Sequence, residues 1–496
     1  MSGTSLALDD EALGELAASA IEKGNEAEAV PTLRTAAQQR RSALLWQWTG
    51  LLQRSLDEHE EALKSFAEAA RLAPDDFSIA HGRAHTAMEA GLDAVALFEQ
   101  ARALKPHDGA VLIGLAAAEA AIGQGDKGAE RLRKALEHSP MWLRGHEQLA
   151  QLLSTLGRGN EATQSLEAAI ARFPRQPMLR EALLNLELRS GRYDRLEGLV
   201  DQSRAAGVNL PDFLMYEAIH AAEHDPALYP DVLFGPASRP FDDALDTWRV
   251  RHLLRLGAPE AALPILDRRL GDPRSAELWA YAATVWRMVG DPREQWLAAQ
   301  PGLVQVIDLK DTLPPLDDLA SLLRTLHQGR GEYLDQSVRG GTQTDGPLFS
   351  RIEPRIRQVR AAVVTAVEGY VRNLPPADPR HPLLGKPRDR PVRFAGSWSV
   401  RLRGGGRHSN HVHPQGWISS ALYIALPDRT EGGAEDAGWF TIGEPDERLG
   451  LGIGPSQTIG PVPARLVLFP SYLWHGTVPF AEGERLTIAF DVQPPP

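Results

Sequence analysis

Four prolines set the frame of the N-terminal half of the chain. Pro74, Pro106, Pro140 and Pro174 stand 32, 34 and 34 residues apart, and each closes a helical run (RLAP, ALKP, EHSP, ARFP). Twelve residues before each proline stands a small residue, Ala62, Ala94, Gly128 and Ala162. Eight before stands a large apolar one, Phe66, Phe98, Leu132 and Leu166, and five before an alanine, Ala69, Ala101, Ala135 and Ala169. Small residues let two antiparallel helices approach, the large residue fills the groove between them, and proline stops the second helix. An alanine-rich bundle without a repeat would not hold this phase over four copies. The period therefore demands a stack of helical pairs, each burying its apolar face on its neighbours.

This pattern resembles the tetratricopeptide repeat (TPR) in period and in the placing of small and large residues. The repeats are expected at about 10–42, 43–76, 77–108, 109–142 and 143–176, with a weaker sixth reaching about 211, so that 1–211 forms the TPR region. Residues 212–300 keep a helical period without the consensus and are read as degenerate TPR-like helical pairs. DTWRVRHLLRLGAPEAALPILDRRL is one pair, SAELWAYAATVWRMVGDPREQWLAA another, and DPALYPDVLFGPASRPFDD a loop that interrupts them.

The texture changes near residue 301. VQVIDL (304–309) reads as a short strand, followed by helices at about 315–328 and 350–373 with a Gly-rich connector, RGGTQTDG, between them. From 391 the β-branched and aromatic runs VRFAGSWSVRL, GWISSALYIAL, GWFTI, ARLVLFP and RLTIAFDV are bounded by Gly, Pro and charged turns. Many short strands after a helical segment suggest a sandwich or jelly roll. The expected fold is thus α+β in two parts, an all-α solenoid and then a mostly β module over 301–496.

Composition narrows the chemistry. Acidic residues outnumber basic ones by 65 to 53, a net charge of −12, so nothing draws the chain in bulk to nucleic acid or anionic lipid. There is no cysteine among the 496 residues, which excludes disulfides, thiolate metal sites and cysteine nucleophiles. The first residues, MSGTSLALDDEALGEL, lack a basic region followed by an apolar core, and no apolar run is long enough to span a bilayer. A cytoplasmic protein is expected. Any metal must be held by His, Asp or Glu.

Of the 15 histidines, six follow residue 325, and four of those cluster: His408, His411 and His413 in GRHSNHVHPQGW, and His475 in FPSYLWHGTVPF. An H-x-H on an extended segment puts both imidazoles on one face, close enough to share a metal, and a third from a distant strand would close a facial set with open positions. The rival reading makes each a structural strand histidine. His408 is off that face by parity and is left out. Ten residues after His475, beyond the turn FAEGE, Arg485 and Thr487 share a face of the returning strand. A guanidinium with a neighbouring hydroxyl is a seat for a carboxylate, or else a solvent-exposed strand pair.

A His-x-acid pair, a distal His, and about ten residues later R-x-[S/T] form the signature of Fe(II)/2-oxoglutarate-dependent oxygenases on the double-stranded β-helix. The segments SWSVRL, NHVHPQGWISSALYIALP, LVLFPSYLWHGTVPF and ERLTIAFDV are similar to the bacterial members that carry N-terminal TPRs. The resemblance implies that His411 and His475 bind Fe(II), with His413 where most members have a carboxylate. It implies that Arg485 and Thr487 hold the distal carboxylate of 2-oxoglutarate, with Tyr423 hydrogen-bonding the same cosubstrate. The expected ligand and catalytic set is His411, His413 and His475, although water could stand in for His413. A cupin is also related, but the Glu expected a few residues after H-V-H is absent.

The implied activity is a dioxygenase hydroxylating a protein or peptide gripped by the concave face of the repeats. The rivals are a non-catalytic scaffold with a degenerate metal-binding jelly roll, and a three-His dioxygenase working without 2-oxoglutarate. A brace or a homodimer surface is the alternative use of the repeats. Gly404–Gly406 reads as a flexible hairpin tip, and Trp398, Trp417, Trp439 and Trp474 as core or rim of the β module.

Overall fold

The computed structural model describes residues 9–224, 227, 230–334, 337–427 and 434–495. Helices fill the first part of the chain and antiparallel strands the last. Two compact units result: residues 1–135 with 344–361, and residues 136–343 with 362–495.

In the first unit the helices come in pairs, Asp10–Lys23 with Glu26–Arg40, Ala43–Ser55 with His59–Leu72, and Phe77–Glu89 with Val95–Leu104. Each repeat restarts two residues after its proline. Asp76 and Asp108 accept from the backbone N–H groups of Ser78 and Ile79, and of Ala110 and Val111, at 2.8–3.1 Å. Such a cap is worth about 1 kcal/mol. The small-residue logic holds at atomic scale. A Cβ at Gly50 or Gly82 would lie 2.8 or 2.7 Å from the Phe66 ring, and one at Gly114 only 2.2 Å from Phe98. Both phenylalanines are fully buried, each contributing roughly 1.5–3 kcal/mol. Residues 344–361 return to this unit, where the Ile352 N–H donates to the Ala90 carbonyl at 3.1 Å and Arg360 pairs with Asp57 at 3.3 Å.

In the second unit, the helices Leu143–Thr155, Gln164–Arg172, Pro177–Arg189, Leu196–Ala205 and Phe213–Glu223 share one apolar core centred on Leu166, Leu183, Leu196 and Tyr216. Beyond 212 further helices follow, among them Asp242–Arg255, Leu263–Arg269, Leu278–Val289 and Arg293–Leu297. The interruption expected as a loop contains short helices at Pro230–Phe234 and Pro236–Phe241, while residues 225, 226, 228 and 229 lie outside the described residues.

The strands are β1 (Gln305–Asp308), β2 (Val338–Gln343), β3 (Phe394–His408), β4 (Ile418–Ala425), β5 (Phe440–Ile442), β6 (Gln457–Ile459), β7 (Arg465–Pro470), β8 (His475–Thr477) and β9 (Glu484–Val492). One sheet has the order β1-β7-β4-β9-β3-β2 and a second β6-β5-β8, all pairs antiparallel. Two sequence expectations change here. The Gly-rich connector is edge strand β2, whose pairing with β3 shifts register between Arg339 and Gly341. Gly404–Gly406 lie inside the long strand β3, not at a hairpin tip. Glycine serves there because backbones crowd: a Cβ on Gly404 would stand 2.5 Å from the Ala481 carbonyl oxygen.

Helices of this second unit grip the loop between β7 and β8. The buried Trp474 indole donates to the Ala280 carbonyl at 3.1 Å, and the Tyr472 hydroxyl to the Leu297 carbonyl at 2.8 Å. Buried Arg251 pairs with Glu223 and, at 3.3 Å, with Asp446.

Candidate metal centre

His411 and His475 are brought together by the backbone before their side chains are considered. Each N–H donates to the other's carbonyl at 3.0 Å, an isolated antiparallel bridge between the segment after β3 and the start of β8. Gly476 makes the approach feasible, since a Cβ there would stand 2.1 Å from the Asn410 Oδ1. His413 follows two residues on, its N–H donating to the Ser471 carbonyl at 2.9 Å. One ring nitrogen from each of His411, His413 and His475 lies within 4.8 Å of the other two. The ring centroids are 4.1 Å (411 to 475), 4.9 Å (411 to 413) and 5.2 Å (413 to 475) apart.

The tautomers follow from the partners. His411 Nδ1 lies 2.8 Å from the Ser409 carbonyl and His475 Nδ1 3.0 Å from that of Leu473. A carbonyl only accepts, so both Nδ1 atoms carry the proton and both Nε2 atoms keep a lone pair. His413 Nδ1 lies 2.8 Å from Asp491 Oδ2, so that nitrogen is the donor and Nε2 is the one left to face a metal. Burial pushes His411 down to about 3, with His413 adding to the effect, and drives His475 well below its ordinary value. Three imidazoles whose outer nitrogens are tied to acceptors suit a divalent transition metal.

His408, set aside by parity, stands at the end of β3 with its ring 5.8 Å from that of His411. The Ser337 hydroxyl lies between them, 3.0 Å from His411 Nε2 and 3.1 Å from His408 Nδ1. That hydroxyl can satisfy His411 in the metal-free state and turn to His408 when a metal takes the lone pair.

Arg485 lies on β9 and is 2% exposed. It has no carboxylate partner among the described residues. Its Nη1 donates to Thr477 Oγ1 at 3.1 Å, its guanidinium sits 5.1 Å over the Tyr423 ring, and its Nε has no hydrogen-bond partner. Burial presses its pKa below the ordinary value, and Tyr423 opposes the shift. The Tyr423 hydroxyl is buried beside the Arg485 guanidinium; burial raises its pKa and that cation opposes the rise. Thr487, two residues along the same face of β9, lines with Arg485, Thr477 and the three histidines a narrow cavity. A buried cation and orphaned polar atoms next to three metal-competent imidazoles fit a small dianion that also reaches the metal.

The structure therefore brings His411, His413, His475, Arg485, Thr487 and Tyr423 into one region. Sequence reasoning missed Thr477 and Asp491. Thr477 was accessible to it, because H-x-T at 475–477 puts both side chains on one face of a strand. A larger cavity of about 680 Å3 opens onto His411 and His413, and its walls include Arg189, Tyr193, Trp398 and Arg448. Trp398 stacks on His413 with centroids 5.9 Å apart, while Trp417 and Trp474 are buried in the core.

Comparison with known proteins agrees with this geometry. Residues 396–491 match the family described as Putative 2OG-Fe(II) oxygenase, and residues 43–76 match the tetratricopeptide repeat. No curated protein matches the chain. Among solved structures, MamA 41-end from Desulfovibrio magneticus RS-1 is 17% identical over 36% of this chain and 99% of its own, with a TM-score of 0.30. A prolyl-4-hydroxylase from Pseudomonas putida is 17% identical over 39% of this chain and 92% of its own, with a TM-score of 0.27. At such scores neither likeness carries an argument about fold or activity. Among the described residues no helix is long and apolar enough to cross a membrane. The period of the helices, the histidine cluster and the two family matches point the same way: residues 43–76 are similar to the tetratricopeptide repeat and residues 396–491 to the family described as Putative 2OG-Fe(II) oxygenase.

Proposed function

We propose that the protein is an Fe(II)- and 2-oxoglutarate-dependent dioxygenase that hydroxylates a protein or peptide substrate recruited by its helical repeats. The observation that carries this reading is the pairing of three Nδ1-anchored imidazoles with a buried arginine that lacks a carboxylate partner among the described residues. His411, His413 and His475 would hold the iron through Nε2. Arg485 would bind the distal carboxylate of 2-oxoglutarate, with the Thr477 and Thr487 hydroxyls beside it and Tyr423 donating to the same cosubstrate. Bound together, iron and 2-oxoglutarate would let O2 be reduced, one oxygen atom going into succinate as the cosubstrate loses CO2 and the other being left for an unactivated C–H bond of the substrate. The chain's own part is to orient the cosubstrate, to keep water from it within walls such as Phe440 and Trp398, and to leave one side of the histidine cluster open to the larger cavity.

Two further elements belong to the proposal. The two antiparallel sheets are taken as the double-stranded β-helix of this oxygenase class. The segments 1–211, 212–300 and 301–496 are taken as its TPR, degenerate-repeat and oxygenase parts. The neutral ligand set alone would equally suit a dioxygenase without cosubstrate, and Arg485 favours 2-oxoglutarate over that reading. Incubating the full chain with Fe(II), O2 and 2-oxoglutarate should yield succinate above the rate without protein. No succinate, and no effect of 2-oxoglutarate on the absorption of the Fe(II)-loaded protein, would overturn the assignment.

A further inference from the structure

Three neutral imidazoles around a dication leave two positive charges uncompensated, and the fold places one carboxylate where it answers them. Along β9 the side chains of Arg485, Thr487, Ala489 and Asp491 alternate onto one face, so the strand that carries the buried cation at one end carries Asp491 at the other. Asp491 Oδ2 is 2.8 Å from His413 Nδ1. Its Oδ1 accepts from the Ser419 hydroxyl at 2.6 Å, and Ser419 lies 3.0 Å from the Ser471 hydroxyl. A carboxylate cannot donate, so the directions are fixed: Ser471 donates to Ser419, Ser419 to Asp491, and His413 Nδ1–H to Asp491. Asp491 is 8% exposed and Ser419 2%, while the His413 side chain is 20% exposed toward the larger cavity.

We propose that Asp491 is the positioning residue that makes His413 a metal ligand: it holds the proton on Nδ1, keeps the Nε2 lone pair free, and supplies negative charge one hydrogen bond outside the ligand shell. The inference rests on the metal reading above and deepens it. A His413 ring without such an acceptor is free to carry its proton on Nε2, where it would block the metal. It follows that a second carboxylate at position 413 would face Asp491 across the space now spanned by the hydrogen bond, so the two positions are coupled.

The test uses the full-length protein with Mn(II) as probe and the 15N resonances of its histidines in the metal-free state. In the wild type the His413 proton should sit on Nδ1. In Asp491→Asn the Ser419 proton claims the amide oxygen, the amide NH2 turns to His413, and Mn(II) affinity should fall about 10–100-fold with an Nε2–H tautomer appearing. Adding Ser419→Ala frees the amide to turn its oxygen to His413 and should recover part of the loss. His413→Asp should bind Mn(II) poorly alone and better when combined with Asp491→Asn. If Asp491→Asn binds Mn(II) within twofold of wild type and keeps the Nδ1–H tautomer, the inference is overturned while the metal reading stands. Should Asp491→Asn not fold, a wild-type His413 proton found on Nε2 would still overturn it. If the wild type and His475→Ala alike fail to bind Mn(II), the metal reading falls and takes this inference with it.

Discussion

Three largely buried carboxylates in the repeats and one buried guanidinium in the β module are treated in opposite ways. In the repeats, Glu119 is fully buried but receives Arg131 at 2.7 Å and Lys127 at 3.0 Å. Glu89 is held by Arg54 and by His59, the latter at 3.0 Å, and Glu187 is clasped by Arg192 and Arg195. In the β module, Arg485 is as deeply buried yet meets only a threonine hydroxyl and an aromatic face. Desolvating a charge without an opposite partner costs several kcal/mol, and a fold bears that cost where a ligand is to supply the partner. The lesson is that a buried ion next to metal-competent groups and without a charged partner leaves room for a ligand to supply one.

The comparison breaks first at the histidines. His475→Ala or His411→Ala should abolish stoichiometric Mn(II) binding in calorimetry with the thermal transition retained; full binding in His475→Ala would rule out the metal centre. Next, Arg485→Ala should leave Mn(II) affinity alone and weaken 2-oxoglutarate by about 2–5 kcal/mol, roughly 30-fold to several thousandfold. Arg485→Lys should rescue only part, because an ammonium cannot reproduce the planar fork.

The mirror experiment lies in the repeats. Glu119→Gln should lower stability by about 1–3 kcal/mol in urea titration, while both affinities stay unchanged. An altered 2-oxoglutarate affinity there would blur the contrast between the two regions. Acid titration sharpens it further. Burial works against the Glu89 carboxylate, but Arg54 and His59 outweigh it and hold the pKa at about 2, below its ordinary 4.5. A depressed folded-state pKa stabilises the protein above the unfolded value, and the benefit disappears as pH falls from about 4.5 toward 2. Glu89→Gln should therefore flatten the stability curve across that window, and an unchanged slope would refute the assignment. The smallest effect is expected for Thr477→Val, which removes the hydroxyl under Arg485. It should weaken 2-oxoglutarate by about 1 kcal/mol, near fivefold.

Legibility in the sequence followed the range of the interactions. The helical pairs were legible because the positions of Ala62, Phe66 and Ala69 recur with their period, and their contacts lie within the repeat or its neighbour. His411, His413 and His475 were legible because H-x-H fixes a face by itself and the distal histidine follows a plainly buried run, although it opens β8 of the second sheet and does not end β7. Arg485 and Thr487 were legible for the same reason of parity. Asp491 was not, because its meeting with His413 depends on the register of β4 and β9 and on a turn that no local pattern specifies. Strand β2 was hidden by its glycines, whose use is to let β3 pass close. Nor did any pattern announce that Trp474 and Tyr472 reach back to helices some 175–194 residues earlier.

Those two side chains bear on how the segment can be inherited. Tyr472 and Trp474 immediately precede His475, and their polar atoms are met by Leu297 and by Ala280 with Thr284. A gene fragment encoding only residues 396–491, carried into another chain by recombination, would arrive with an indole and a phenol facing water just ahead of the strand that carries its last histidine. The 278–297 helices and the histidine segment are therefore bound to travel, and to drift in sequence, as one heritable piece.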